Sequence, residues 1–163
     1  MKNFKSIAKR NAEFANMTKM EKRVALAKDV LDQLELRKFI PTPGTYINSF
    51  VVGYEDQERQ TPIIAETCNV CALGALTVSL IDGDAFNEYG NNQVSCHDVL
   101  SKNNLWNREE SYEIENVFEN TYQYKDIARR NDYVEPEVRM KEIMLNIVRN
   151  NGEFKGEQLP FYF

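Results

Sequence analysis

Residues 67–76 read TCNVCALGAL, and the way this run divides between strand and helix decides the fold. Cys68 and Cys71 stand three apart, and Cys71 opens a series of small and apolar residues that continues to Ile81. The pattern predicts a helix beginning at Cys68 or Asn69 and ending before Asp82-Gly83-Asp84. Ala72, Gly74, Ala75 and Ser79 are small, and a glycine inside a helix costs about 1 kcal/mol relative to alanine. Close approach of a neighbouring helix would compensate, so 70–81 is expected to be the central buried helix.

Upstream, Thr45–Tyr54 (TYINSFVVGY) is rich in β-branched and aromatic residues. With Thr61–Ala65 across the charged linker EDQERQ it forms an expected β-hairpin at 45–65. Before it, Thr18-Lys19-Met20-Glu21 has the pattern of a capping box. Met20, Val24, Ala27, Leu31 and Leu34 follow at helical spacing, which predicts a helix over 19–38 stopped by Pro41 and Pro43. Downstream, 85–94 reads as loop, and Ser95-Cys96-His97-Asp98 opens a short helix. Asn107-Arg108-Glu109-Glu110 caps another, with Ile114, Val117, Phe118 and Thr121 inward and Glu113, Glu115 and Glu119 mostly outward. Pro136 begins a last helix whose stripe is Met140, Ile143, Met144, Ile147 and Val148, ending at Gly152. The expected fold is mainly α, α+β at the margin: about five helices round the 70–81 helix, with a small β-hairpin. Residues 1–17 read as a basic N-terminal arm, solvated and partly frayed, and 18–163 as a single helical domain.

A chain of 163 residues with 42% hydrophobic and 28% charged residues is globular in composition. Three cysteines and one histidine argue against a disulfide framework and suit a reducing cytoplasm. The N-terminus lacks the apolar stretch of a secretory signal, and Val70–Ile81, the longest apolar run, is too short to span a membrane. The net charge of −5 divides unevenly: residues 1–23 carry seven Lys/Arg against two Glu, and residues 24–163 carry thirteen against twenty-three acids. An acidic body repels phosphate backbones, so direct nucleic-acid binding is confined to the basic arm.

Several residue sets bear on chemistry. Cys68, Cys71, Cys96 and His97 include every thiol and the sole imidazole, and they are the candidate zinc ligands. The adjacent Cys96-His97 pair lacks the spacer that lets two ligands turn onto one ion. A Cys-x-x-Cys at a helix start is also a redox arrangement, without the flanking residues or βαβ pattern that usually accompany it. Buried cysteines in a core helix account for the same residues. Glu109, Glu110, Glu113, Glu115 and Glu119 form an acidic helix surface, suited to a basic protein partner or, alternatively, to a metal ion and acid–base work. Tyr46, Tyr54, Trp106, Tyr112 and Tyr122 could stack on bases while Arg129 and Arg130 hold phosphate, as in a protein that sequesters a nucleotide signal. No complete catalytic signature is present, so a non-enzymatic role without a cofactor is expected.

Four stretches in order, Arg23–Val30 (RVALAKDV), Gly44-Thr45-Tyr46, Cys71–Leu76 (CALGAL) and Ile114-Glu115-x-x-Phe118-Glu119, resemble an uncharacterised family of small phage- and prophage-encoded proteins. The resemblance spans roughly residues 20–122. It implies an intracellular accessory protein that binds a host protein, inhibition of a bacterial defence system being one form of this. It implies no catalytic residue.

Overall fold

The computed structural model describes residues 5–44, 46–55, 62–82, 95–119 and 134–161, with the backbone alone for 48–55 and 62–66. It is mainly helical with a small sheet. Helix α1 (Ile7–Arg10) and a 3-10 turn (Phe14–Asn16) lead into α2 (Lys19–Glu35). The Thr18 capping box forms as the spacing predicts: the Glu21 N–H donates to Thr18 Oγ1 at 3.3 Å, and the Thr18 N–H donates to Glu21 Oε2 at 2.7 Å. Arg37, with φ of 55°, turns the chain out of the helix.

The sheet is larger than the expected hairpin. Strand β1 (Phe39–Pro41) pairs parallel with β3 (Pro62–Val70), and β2 (Ile47–Glu55) pairs antiparallel with β3 from Ile47↔Val70 to Glu55↔Pro62, in the order β1-β3-β2. Cys68 and Asn69 therefore belong to a strand, not to the start of a helix. β2 pairs with them on one side, and on the other the chain flanking β1 bonds both ends of the stretch. The Cys68 N–H donates to Lys38 O at 2.8 Å, and the Thr42 N–H donates to Val70 O at 2.9 Å. Ladder hydrogen bonds on both sides make extension the better conformation for a segment whose apolar run alone fits either state.

Helix α3 (Ala72–Leu80) then starts with Cys71 as its N-cap, whose Sγ accepts from the Gly74 N–H at 3.3 Å. Residues 72–79 are all buried, as expected for a helix apolar on every side. The close neighbour of Gly74 is not a helix, however, but the backbone of Tyr46 just before β2: a Cβ at position 74 would overlap the Tyr46 carbonyl oxygen.

Helices α4 (Cys96–Lys102), α5 (Arg108–Glu119) and α6 (Pro136–Arg149) complete the shell, followed by a 3-10 turn at Gly156–Gln158. Asn107 caps α5 in a second reciprocal box with Glu110, at 2.8 and 2.9 Å. Leu26 and Val30 of α2, Leu73 and Leu76 of α3, Leu100, Ile114, Phe118, Ile143 and Ile147 form one core. Thr121, the fourth inward position expected on α5, lies outside the described residues. Ile7 and Phe14 join the core. The Ser6 N–H donates to Asp82 Oδ1 at 2.8 Å, Lys9 Nζ is 2.6 Å from Asp82, and Arg10 forms a two-pronged pair with Asp29 at 2.6 and 2.8 Å. Residues 5–17 are thus packed, not frayed. Among the described residues no helix is long and apolar enough to cross a membrane.

Candidate functional site: two tyrosines and an acidic rim over a buried histidine

Ser95 caps α4 by accepting from the Asp98 N–H at 3.3 Å, and the first turn buries Cys96 and His97. Ser111 and Glu115 lie four residues apart on α5, hence on one face, and they grip the two nitrogens of that imidazole. His97 Nδ1 is 2.6 Å from Ser111 Oγ, and Nε2 is 2.9 Å from Glu115 Oε2. The Ser111 hydroxyl also donates to Arg108 O at 3.1 Å. With its hydrogen there, Nδ1 donates to Ser111 Oγ; if the hydroxyl turns to Nδ1 instead, Nδ1 accepts and the ring proton on Nε2 faces Glu115.

Two tyrosines cover this pair. The Tyr112 ring lies 4.3 Å from the imidazole centroid at 34°, and Tyr46 meets it edge-on at 6.3 Å and 81°. Burial, then the nearby Glu115 carboxylate, pushes the Tyr46 phenol above its usual range. Tyr46 is nevertheless 43% exposed and Tyr112 48%, so each ring has one face against the site and one toward solvent.

Serine, histidine and carboxylate in a row have the composition of a nucleophilic triad, with partners other than the adjacent Asp98, which pairs with Arg108 at 3.0 Å. Ser111, however, is fully buried and already committed to two groups, which closes its Oγ to a substrate. The arrangement locks α4 to α5 and positions the tyrosines. The sequence marks this set only in part: His97 stands out as the sole histidine, but Ser111 carries no signal, and Glu115, expected mostly outward, turns in to the imidazole.

The candidate zinc ligands do not converge. Cys68 is buried in β3, Cys71 caps α3, Cys96 is buried at the start of α4, and none forms a disulfide. Burial holds the Cys71 thiol above its usual range and pushes the Cys96 thiol up to about 11, which disfavours the thiolate that binds metal or attacks a disulfide. Both His97 nitrogens have partners. Among the described residues no three His, Cys, Asp or Glu side chains are grouped to hold a metal ion.

The five glutamates divide into two sets. Glu110 accepts two bonds from Arg23 at 2.8 and 2.9 Å, Glu115 holds His97, and Glu119 Oε2 accepts from the Gly44 N–H at 2.8 Å. These three fasten the fold. Glu109 and Glu113 are exposed. Partial burial, followed by Glu157, Glu109 and Glu110, raises the Glu113 carboxyl above its ordinary value. Of the base-stacking set, Trp106 is buried beneath the Arg23 guanidinium, 5.1 Å from its ring. The Tyr54 side chain, Tyr122, Arg129 and Arg130 lie outside the described residues. No protein-family model, curated protein or solved structure matches the chain.

Proposed function

We propose that this chain is a phage-type accessory protein that acts by binding a basic host protein in the cytoplasm, through Tyr46, Tyr112 and the acidic rim of Glu109 and Glu113. The observation that carries this is the pair of half-exposed tyrosines braced on His97. Tyrosine is enriched among the residues that dominate binding energy, and a side chain already held in place loses less entropy on docking. Glu109, Glu113 and Glu157 have no ion-pair partner among the described residues, and such a rim steers a cationic partner. The host context comes from the family resemblance, and suppression of a defence system is one form the binding would take.

The test is capture from host lysate by the immobilised full chain and by its Tyr112→Ala and Glu109→Gln/Glu113→Gln variants. The expected result is a specific protein retained by the wild type, lost with Tyr112→Ala, and weakened by the charge variant or by salt. Recovery of no specific protein, or equal recovery by all three chains, would refute the proposal.

A further inference from the structure

A second feature shares no lining residue with the tyrosine face. A half-open cavity of about 120 Å³ lies among the N-terminal segment, α2, the start of β1 and the last turn of α3, with Lys5, Arg10, Asp29, Gln33, Lys38 and Ser79 in its wall. Three cations surround one carboxylate. Asp29 is already held in two prongs by Arg10, so the charges of Lys5 and Lys38 are left over.

Two buried polar atoms in the same wall have no partner among the described residues, Gln33 Oε1 and Ser79 Oγ. Both side chains belong to the interior, Ser79 at 2% and Gln33 at 9% exposure. The Gln33 amide is oriented by its Nε2, which is 3.4 Å from Asp29 Oδ1; the flipped amide would set two acceptors against each other. The wall therefore offers excess positive charge, a hydroxyl able to donate, and one acceptor that needs a donor. A buried polar group without a partner costs stability, so a ligand that supplies the missing partners is favoured.

We propose that this cavity binds a small oxyanion carrying its own O–H, with hydrogen phosphate as the best fit. The two lysines balance its charge, Ser79 donates to one oxygen, and the P–O–H donates to Gln33 Oε1. The volume is about four times the ~30 Å³ share of a water molecule in the liquid. That admits a tetrahedral anion but not a nucleotide, while the open side lets an ester chain leave if the phosphate heads a small phosphomonoester. Sulfate has similar shape and charge but no O–H, so it isolates the contribution of Gln33.

The experiment is calorimetric titration of the full chain at constant ionic strength with inorganic phosphate, sulfate and glycerol 3-phosphate. Phosphate is expected to bind saturably and more tightly than sulfate. Lys5→Ala/Lys38→Ala and Ser79→Ala should each weaken phosphate binding by roughly tenfold or more, in keeping with lost charge-assisted hydrogen bonds. Glycerol 3-phosphate binding at least as tightly as phosphate identifies a phosphomonoester head as the natural group, and weaker binding identifies the free anion. Thermal melts of the free Ser79→Ala chain separate binding from folding, because removing an unpartnered hydroxyl should leave the melting temperature unchanged or higher. Absence of a saturable phosphate response would mean that the cavity holds water only. An undiminished response in the double lysine variant would place the anion elsewhere. Either result overturns the proposal.

Discussion

Gly74→Ala sets two well-understood effects against each other. In an exposed helix the change stabilises by about 1 kcal/mol, because alanine has the better helix propensity. Here the new Cβ would overlap the Tyr46 carbonyl oxygen and crowd its carbon at 2.7 Å, with Ile47 Cγ1 at 3.2 Å. The first two obstacles are backbone, which cannot swing aside as a flexible side chain would. Overpacking of this kind costs about 1–3 kcal/mol. Moving Tyr46 also stretches the Cys71 N–H bond to its carbonyl, already 3.3 Å long, a further loss of about 1 kcal/mol. That loss cancels the propensity gain, leaving a net destabilisation of about 1–3 kcal/mol. For a chain of this length each kcal/mol lowers the melting temperature by roughly 2–4 °C. Fluorescence of Trp106, the single tryptophan and fully buried, reports unfolding in heat or denaturant. A Gly74→Ala chain more stable than wild type by about 1 kcal/mol would show that propensity wins and that the carbonyl does not press on this helix.

Arg23→Met should destabilise by about 1.5–3 kcal/mol, since buried Arg23 donates to Leu105 O and Gly152 O and pairs with Glu110, whose side chain, 37% exposed, can turn to water; a loss under 1 kcal/mol in denaturant titration would contradict that role. Glu113→Gln should stabilise by about 0.2–0.5 kcal/mol at pH 7, the scale of a like-charge pair four residues apart on a helix, discounted for solvent screening. The sign follows from the raised folded value of Glu113: ionisation opposes folding above it. The difference between variant and wild type should therefore vanish as pH falls below the ordinary value of 4.5. Denaturant midpoints at pH 7 and about pH 4 check this, and a benefit that persists in acid would contradict it. All three cysteines are buried, and Cys71 and Cys96 resist ionisation, so an aromatic disulfide reagent should titrate three thiols in denaturant but react slowly with the native chain. A rapid native reaction would indicate an accessible thiolate.

Local chemistry was the most legible part of the chain. The Thr18 and Asn107 capping boxes each need two residues three apart, and both form as the spacing predicts. The stripes of α5 and α6 are readable because one face of each meets a single core; on α2 the expected stripe is turned, since Leu26 and Val30 join Ala27 and Leu34 in the core while Met20 and Val24 lie outside it. Strand β1 is not readable: three residues ending in Pro41 read as a helix stop, and their pairing with Phe39↔Cys68 and Pro41↔Val70 is made across some thirty residues of chain. Glu115 and Glu119 read as outward for a related reason. Helical spacing places them at the margin of the apolar stripe, and only the arrival of His97 and Gly44 from other segments turns them in.

TCNVCALGAL combines both kinds of information. Its apolar run has no period that separates strand from helix, so the join between them is settled from outside, by hydrogen bonds that hold Cys68 to Val70 in the sheet. Once the strand is extended to Val70, Cys71 is the first residue free to turn, and its sulfur caps the helix that follows. The turn carries Gly74 against the carbonyl of Tyr46, one residue before β2, whose phenol stands beside His97. The two cysteines thus mark a strand–helix corner. The lack of a side chain at position 74 lets that corner seat Tyr46, and through it one half of the exposed tyrosine face.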